Sequence, residues 1–322
     1  MKKNNFFAKI FDHKLFKNKD GLVRSGWIIA PVIIVFYFLA YIVPLLTVEI
    51  LKAVFIKTGD INAVTGDVSP LVIWMDDIFL PIALQILTDI LMLLIPIIAW
   101  RCILKKRLST IGLNALAKGW KDAVAGLLLG FCSVTFVLIL VTATGNARME
   151  FRHPEFNSLT LWWTVTFIFV AFAEEILSRG FLMSVLRRSQ NKYLIIFFPA
   201  FFFSAVHAMN PNVSLLPFTN IFLIGLVFGY IYYKSGSLWM CIGYHFTWNT
   251  FQGVVYGIPV SGLDCPSIFQ TEILGDNLWN GGAFGLEGGF ATTIGTLFVF
   301  LFVFLYYRNS KYNFIHPTPN GR

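Results

Sequence analysis

Charge is scarce in this sequence: 13% of its 322 residues are Asp, Glu, Lys or Arg, whereas 57% are hydrophobic. Soluble domains carry roughly twice that charge, so the composition excludes a freely soluble protein and points to a membrane protein. Paired cysteines are missing as well. Cys102, Cys132, Cys241 and Cys265 lie far apart, with no CxxC and no histidine at zinc-finger spacing, which leaves neither a disulfide framework nor a structural zinc site. There is no HExxH, no internal repeat and no low-complexity tract. The net charge of +8 does not signal nucleic acid, because most Lys and Arg stand in short flanks of apolar runs, where they set membrane topology.

What is abundant is apolar sequence. The basic N-terminus reads at first like a signal peptide, but its apolar run starts only at Trp27, continues for about 20 residues and lacks a small-x-small exit, the pattern of a retained first helix. Runs long enough to span a bilayer follow at 78–100, 122–143, 159–187, 193–208, 215–233, 237–256 and 289–307, after the first at 27–48. Pro31, Pro44, Pro81, Pro96 and Pro199 lie within or at the ends of these runs, where a helix bundle tolerates them as kinks. The expectation is an all-α polytopic bundle of about eight transmembrane helices.

The loops give an independent reading. With both termini cytoplasmic, all of the 25 Lys and Arg fall on the inner side except Lys52, Lys57, Arg148, Arg152 and Arg179. That asymmetry supports eight spans in a bacterial-type plasma membrane. The outer loops 49–77 and 257–288 are instead acidic, with Asp60, Asp67, Asp76, Asp77, Asp264, Glu272 and Asp276. The stretch LSTIGLNALAKGW divides a basic N-terminal segment with two helices, 1–117, from a six-helix core, 118–307, which ends in a tail, 308–322.

Polar residues within the core spans are few. Glu174, Glu175 and Arg179 interrupt the fourth span, His207 lies in the fifth, and His245 and Asn249 lie in the seventh. A charged side chain at the centre of a membrane helix costs on the order of 2.5–3.5 kcal/mol on the insertion scale, so such a group demands pairing, hydration or a function. At about 1.5 Å per residue from the cytoplasmic helix ends, Glu174, His207 and His245 lie at roughly 20, 22 and 16 Å. Three helices thus carry polar groups to a similar level, as a shared cavity would require. Glu175 and Arg179 have the i,i+4 spacing and order of an ion pair, Glu174 points about 100° away from Glu175, and His245 and Asn249 share one helix face. Phe203, one turn before His207, could wall the site.

A carboxylate, two imidazoles and an amide suit hydrolysis by activated water: glutamate takes the proton, a histidine helps hold the water, and histidine or asparagine donors stabilise the oxyanion. Glu174, His207 and His245 could equally hold a zinc ion with an open position. Ser178 and Ser204 lack an evident base, so water is the favoured nucleophile.

The three motifs, Glu174-Glu175-x-x-x-Arg179, Phe203-x-x-x-His207 and His245-x-x-x-Asn249, occur in order, each inside an apolar span. Together they resemble the signature of the CPBP family of CAAX proteases and bacteriocin-processing enzymes, also called Abi, over roughly 118–307; GGAFGLEGGF at 281–290 is similar to a stretch of bacterial members. The resemblance implies an intramembrane endopeptidase of the type II CAAX prenyl protease kind. Glu174 would be the base, His207 its partner on the water, and His245 with Asn249 the oxyanion pocket, with Glu175, Arg179 and Phe203 in support. Members have been described as metalloproteases and as glutamate-dependent proteases; the missing HExxH favours the metal-independent route here, with zinc as the alternative. Partners would be membrane lipid and a membrane-associated or prenylated peptide or protein. Two other classes stand beside this reading: a non-enzymatic bacteriocin immunity protein, and a proton-coupled transporter, against which the lack of an inverted repeat counts.

Asp89, near Gln85 and Thr88 in the second span, reads as an interhelical polar contact. His13 and His153 fall in a tail and a loop. Trp27, Trp74, Trp100, Trp162 and Trp239 near span ends fit interfacial anchors, and the 34 phenylalanines fit lipid-facing bulk.

Overall fold

The computed structural model describes residues 15–18, 21–62, 65–74, 80–150, 154 and 156–317. Asp76, Asp77, Arg152, His13 and His153 lie outside the described residues.

Among the described residues, a helix of eleven residues or more overlaps each of the eight apolar runs. The helices are α1 Gly26–Thr58, α2 Leu80–Ile98, α3 Leu116–Ala143, α4 Ser158–Glu175, α5 Lys192–His207, α6 Leu215–Ser235, α7 Trp239–Asn249 and α8 Phe290–Tyr307. Among the described residues, five helical stretches are long and apolar enough to cross a membrane: Gly26–Thr58, Leu80–Ile103, Leu108–Ala143, Leu215–Ser235 and Phe290–Tyr307. The helix Lys192–His207 is apolar but shorter. The chain is a multi-pass, helical membrane protein. The α4 and α7 helices are not among the five, and they carry Glu174, Glu175, His245 and Asn249.

Local sequence explains the ends. Asn157 caps α4, its side chain accepting from the N–H groups of Leu159 and Thr160, with the Thr160 hydroxyl reaching back to close a capping box. Asn191 caps α5 in the same way through Tyr193 and Leu194. Helix α1 runs ten residues past the expected end at 48. The sequence LTVEILKAVFIKT contains nothing that breaks a helix, and the stop comes at Gly59, which takes the left-handed conformation at φ 86°.

Two close helix contacts fix the core. A side chain at Gly126 or Gly130 of α3 would run into the α7 backbone at Met240 or Tyr244, and one at Gly243 of α7 would press on Ala123 and Leu127 of α3. Small residues on both sides let the backbones meet, the usual device for helix pairing in lipid. Gly225 of α6 lies against Ala200 of α5 in the same manner. Helix α4 packs between α2 and α7, and α8 lies on α3 and α6. Helix α1 packs on α2, and the segment before it is tied to the end of the α4 stretch: Ser25 Oγ donates to the Val185 carbonyl at 3.0 Å and Arg188 to that of Val23 at 3.0 Å.

Three features depart from the sequence expectations. Trp100 is no interfacial anchor: it is 1% exposed, donates its indole N–H to the Arg107 carbonyl at 3.1 Å and meets Phe181 edge-on, because the turn at 104–111 folds Ile111 into the same core. Asp89 makes its hydrogen bond within its own helix, to Gln85 at 3.0 Å and i,i+4 spacing, rather than across helices. A two-stranded antiparallel sheet was not expected: β1 Ala147–Glu150 pairs with β2 Gln270–Ile273 in the register Ala147 to Ile273. It joins the α3–α4 loop to the α7–α8 loop, which places both on one side of the bundle. Trp27 and Trp162 remain about half exposed, as anchors require.

Candidate active site

In two of the three helices that carry motif residues, the α-helix gives way to a wider π-helical stretch at the site, which in α4 contains Arg179 and in α7 begins directly after Asn249. Helix α4 ends at Glu175 and continues as a π-helix over Ile176–Met183; α7 ends at Asn249 and continues so over Thr250–Val255. Such insertions gather at functional sites because they shift side-chain register and loosen the backbone hydrogen-bond ladder.

Glu175 and Arg179 are both fully buried and joined at 2.9 Å. The guanidinium also reaches the Gly225 carbonyl at 3.4 Å and stacks over Phe203 and Phe228, its centre 4.3 and 5.0 Å from the two rings. Aromatic faces and a carboxylate thus replace water around a charge that lipid could not solvate. The expected ion pair is there, but it is not isolated: the same Glu175 oxygen, Oε1, lies 3.2 Å from Nδ1 of His245. Glu175 therefore connects the buried arginine to the cavity.

Glu174 faces the other way, into a cavity of about 140 Å³. Its Oε2 stands 3.7 Å from Nε2 of His245 and 3.9 Å from Nε2 of His207. Those separations are too long for a direct hydrogen bond. Both imidazoles are oriented from behind. Nδ1 of His207 is 2.8 Å from the Phe203 carbonyl, which can only accept, so that nitrogen carries a proton; Nδ1 of His245 faces the Glu175 carboxylate. With Nδ1 protonated, a neutral ring would leave Nε2, the nitrogen facing the Glu174 carboxylate at 3.7 or 3.9 Å, as its acceptor. Phe203 does more than wall the site: its ring lies 4.8 Å from that of His207 and edge-on to His245 at 6.2 Å. Asn249, one helical turn after His245, also lines the cavity. All seven residues singled out by the motifs therefore lie in the cavity lining or directly behind it.

A zinc ion imposes its own spacing on its ligands. Bonds of about 2.0–2.1 Å at a tetrahedral ion separate its ligand atoms by about 3.4 Å. The carboxylate–imidazole separations exceed that, and among the described residues no group of three His, Cys, Asp or Glu is gathered to hold a metal ion. As placed, the three side chains do not fit zinc. Ser204 donates to the Phe218 carbonyl of α6, which commits its hydroxyl to packing.

Several cavity residues escaped the motif reading. Gln85 lines the cavity from α2, so the N-terminal helix pair reaches the site. The α7–α8 loop closes another wall with Val260, Ser261, Leu263 and Glu287. It is anchored by Asn220 of α6, whose amide donates to the carbonyls of Glu287 and Gly289 at 2.8 and 2.9 Å, and by Asn210, which donates to that of Ser261 at 3.0 Å. Asn220 and Gln252 could have been found by the reasoning that found Glu174, since each is a polar residue inside an apolar run; Glu287 stands in a glycine-rich loop and gave no such signal.

Residues 156–251 match the family described as Type II CAAX prenyl endopeptidase Rce1-like. The matched segment includes all three motifs and runs from just before α4 into the π-helical stretch after α7, so the part of the chain similar to this family is the part that holds the motifs. The chain matches no curated protein and no solved structure.

Proposed function

We propose that the chain is an intramembrane endopeptidase that hydrolyses a peptide bond of a membrane-associated or prenylated substrate with water activated by Glu174. The observation that carries this reading is the grouping of Glu174 Oε2 with the Nε2 atoms of His245 and His207, 3.7 and 3.9 Å away, in one cavity set among membrane helices. A water there donates one hydrogen to the carboxylate and the other to an imidazole, which leaves its lone pair free for the scissile carbonyl. Glu174 takes the proton as the oxygen attacks and returns it to the leaving amine. Asn249 stabilises the oxyanion through its amide, and His245 joins it after taking the second hydrogen of the attacking water. Glu175 and Arg179 hold His245 in register from behind.

The family match supports peptidase chemistry on prenylated proteins, and the Lys and Arg asymmetry supports eight spans with both ends in the cytoplasm. The test is mass spectrometry of prenylated and unmodified peptides incubated with the lipid-reconstituted protein and with Glu174→Gln. Cleavage by the wild type that the variant loses supports the reading. A wild type that cleaves nothing in the library overturns it in favour of a binding or immunity role.

A further inference from the structure

A second cavity, a groove of about 390 Å³, shares no lining residue with the one that holds Glu174. It runs along α1 from Gly26 to Ile34, about 12 Å at the helical rise, and is completed by Leu186 at the end of the α4 stretch and by Leu194 and Phe198 of α5. Every lining residue is apolar. Ala30, Leu194 and Phe198 are exposed, so in a membrane protein the groove faces hydrocarbon rather than water. Its shape suits an acyl chain, but the lining alone does not discriminate among lipids.

The charges beside it do. Arg188 stands two residues beyond Leu186 and donates to the Val23 carbonyl, just before α1, at 3.0 Å. Lys192 opens α5 two residues before Leu194, its ammonium 5.0 Å from the Tyr193 ring. The turn after α2 adds Lys106. Burial pulls the Lys106 pKa down, and the charges of Arg188 and Arg187 pull the same way. Among the described residues, none of these four cations pairs with an Asp or Glu. One guanidinium N–H of Arg188 is engaged by Val23, which leaves donors of a fork suited to phosphate. Cations gathered without a carboxylate repel one another, and a bound anion relieves that repulsion.

We infer that the groove and its basic end form a binding site for an anionic phospholipid, with an acyl chain between α1 and α5 and the phosphate at Arg188 and Lys192. Basic pockets between membrane helices take headgroups of this kind. A zwitterionic lipid offers the same chain but brings an ammonium to a cluster that is already positive. A free phosphate makes no use of the groove. The seated lipid bridges α1 to the ends of the helices that carry Glu174 and His207, so it holds the N-terminal helix on the core. This inference does not depend on the peptidase reading.

The test is native mass spectrometry of the full chain in a neutral detergent, titrated with phosphatidylglycerol and with phosphatidylcholine of the same acyl chains. Phosphatidylglycerol should bind at least about tenfold more tightly. Arg188→Gln and Lys192→Gln should each weaken it about fivefold and leave phosphatidylcholine unchanged, whereas Arg188→Lys should keep most of the affinity. Ala30→Trp, which fills the groove from its exposed side, should weaken both lipids. Glycerol 3-phosphate, a headgroup without chains, should bind far more weakly than either. Equal binding of the two lipids by the wild type overturns the inference, even where a variant fails to fold. So does a preference that survives both charge removals, phosphatidylglycerol binding that Ala30→Trp leaves intact, or glycerol 3-phosphate that binds as tightly as the lipid.

Discussion

Oε1 of Glu175 accepts the Arg179 guanidinium at 2.9 Å and lies 3.2 Å from Nδ1 of His245, so one buried oxygen serves both a structural charge and a site imidazole. Arg179→Met removes the cation and leaves a fully buried carboxylate without its partner. Breaking a buried pair from one side costs about 3–5 kcal/mol. The expected outcome is a lowered unfolding temperature in detergent, together with lost activity. Arg179→Lys should rescue only in part, because an ammonium cannot stack over Phe203 and Phe228 as the guanidinium does.

Glu174→Gln preserves shape but removes the base. General-base assistance is worth about 10²- to 10⁴-fold, so kcat should fall by that order while the unfolding temperature stays within a few degrees. A variant that retains wild-type turnover on a verified substrate excludes Glu174 as the base.

Chelation offers a separate check. Because the carboxylate and imidazoles are spaced too widely for zinc as they stand, turnover should persist after dialysis against a strong chelator, and elemental analysis should find less than one zinc per chain. Activity that disappears with chelator and returns with zinc assigns Glu174, His207 and His245 to a metal instead.

Gly243→Leu tests the α3–α7 contact. The new side chain presses on Ala123 and Leu127 of the facing backbone, and overpacking of this kind costs typically about 1–3 kcal/mol. Because His245 lies two residues on, activity should fall further than stability alone explains, which parallel melting and turnover measurements resolve.

Glu287 should carry a pH signature in stability. Its folded-state pKa is raised by burial, so its contribution to stability is fully present below the unfolded value of about 4.3 and is lost as pH rises through the folded value. Glu287→Gln lacks that loss. Across this window, melting temperatures of wild type and variant should diverge in the variant's favour as pH increases; parallel curves count against a raised pKa.

Much of this site was legible because lipid makes polarity expensive. Glu174, Arg179 and His245 stand out in apolar runs for that reason, and helical spacing pairs Glu175 with Arg179 without any structure. What spacing could not supply was the connection between motifs. The bond from His245 to Glu175 joins residues 70 apart in sequence, and the anchoring of Glu287 by Gln252 and Asn220 depends on how a long loop folds back. Composition did not place every boundary: α1 had no breaker at its expected end, α3 begins at Leu116 rather than 122, and a tryptophan expected at the interface, Trp100, was captured by a turn.

The glycine contacts between α3 and α7 also bear on how a peptide gets in. Backbones in direct contact cannot slide or part without losing that contact along several turns, so these two helices form a stiff plate carrying His245 and Asn249. Whatever widening a bulky chain requires is left to the other walls of the cavity, among them the α7–α8 loop, part of which hangs on hydrogen bonds from Asn210 and Asn220.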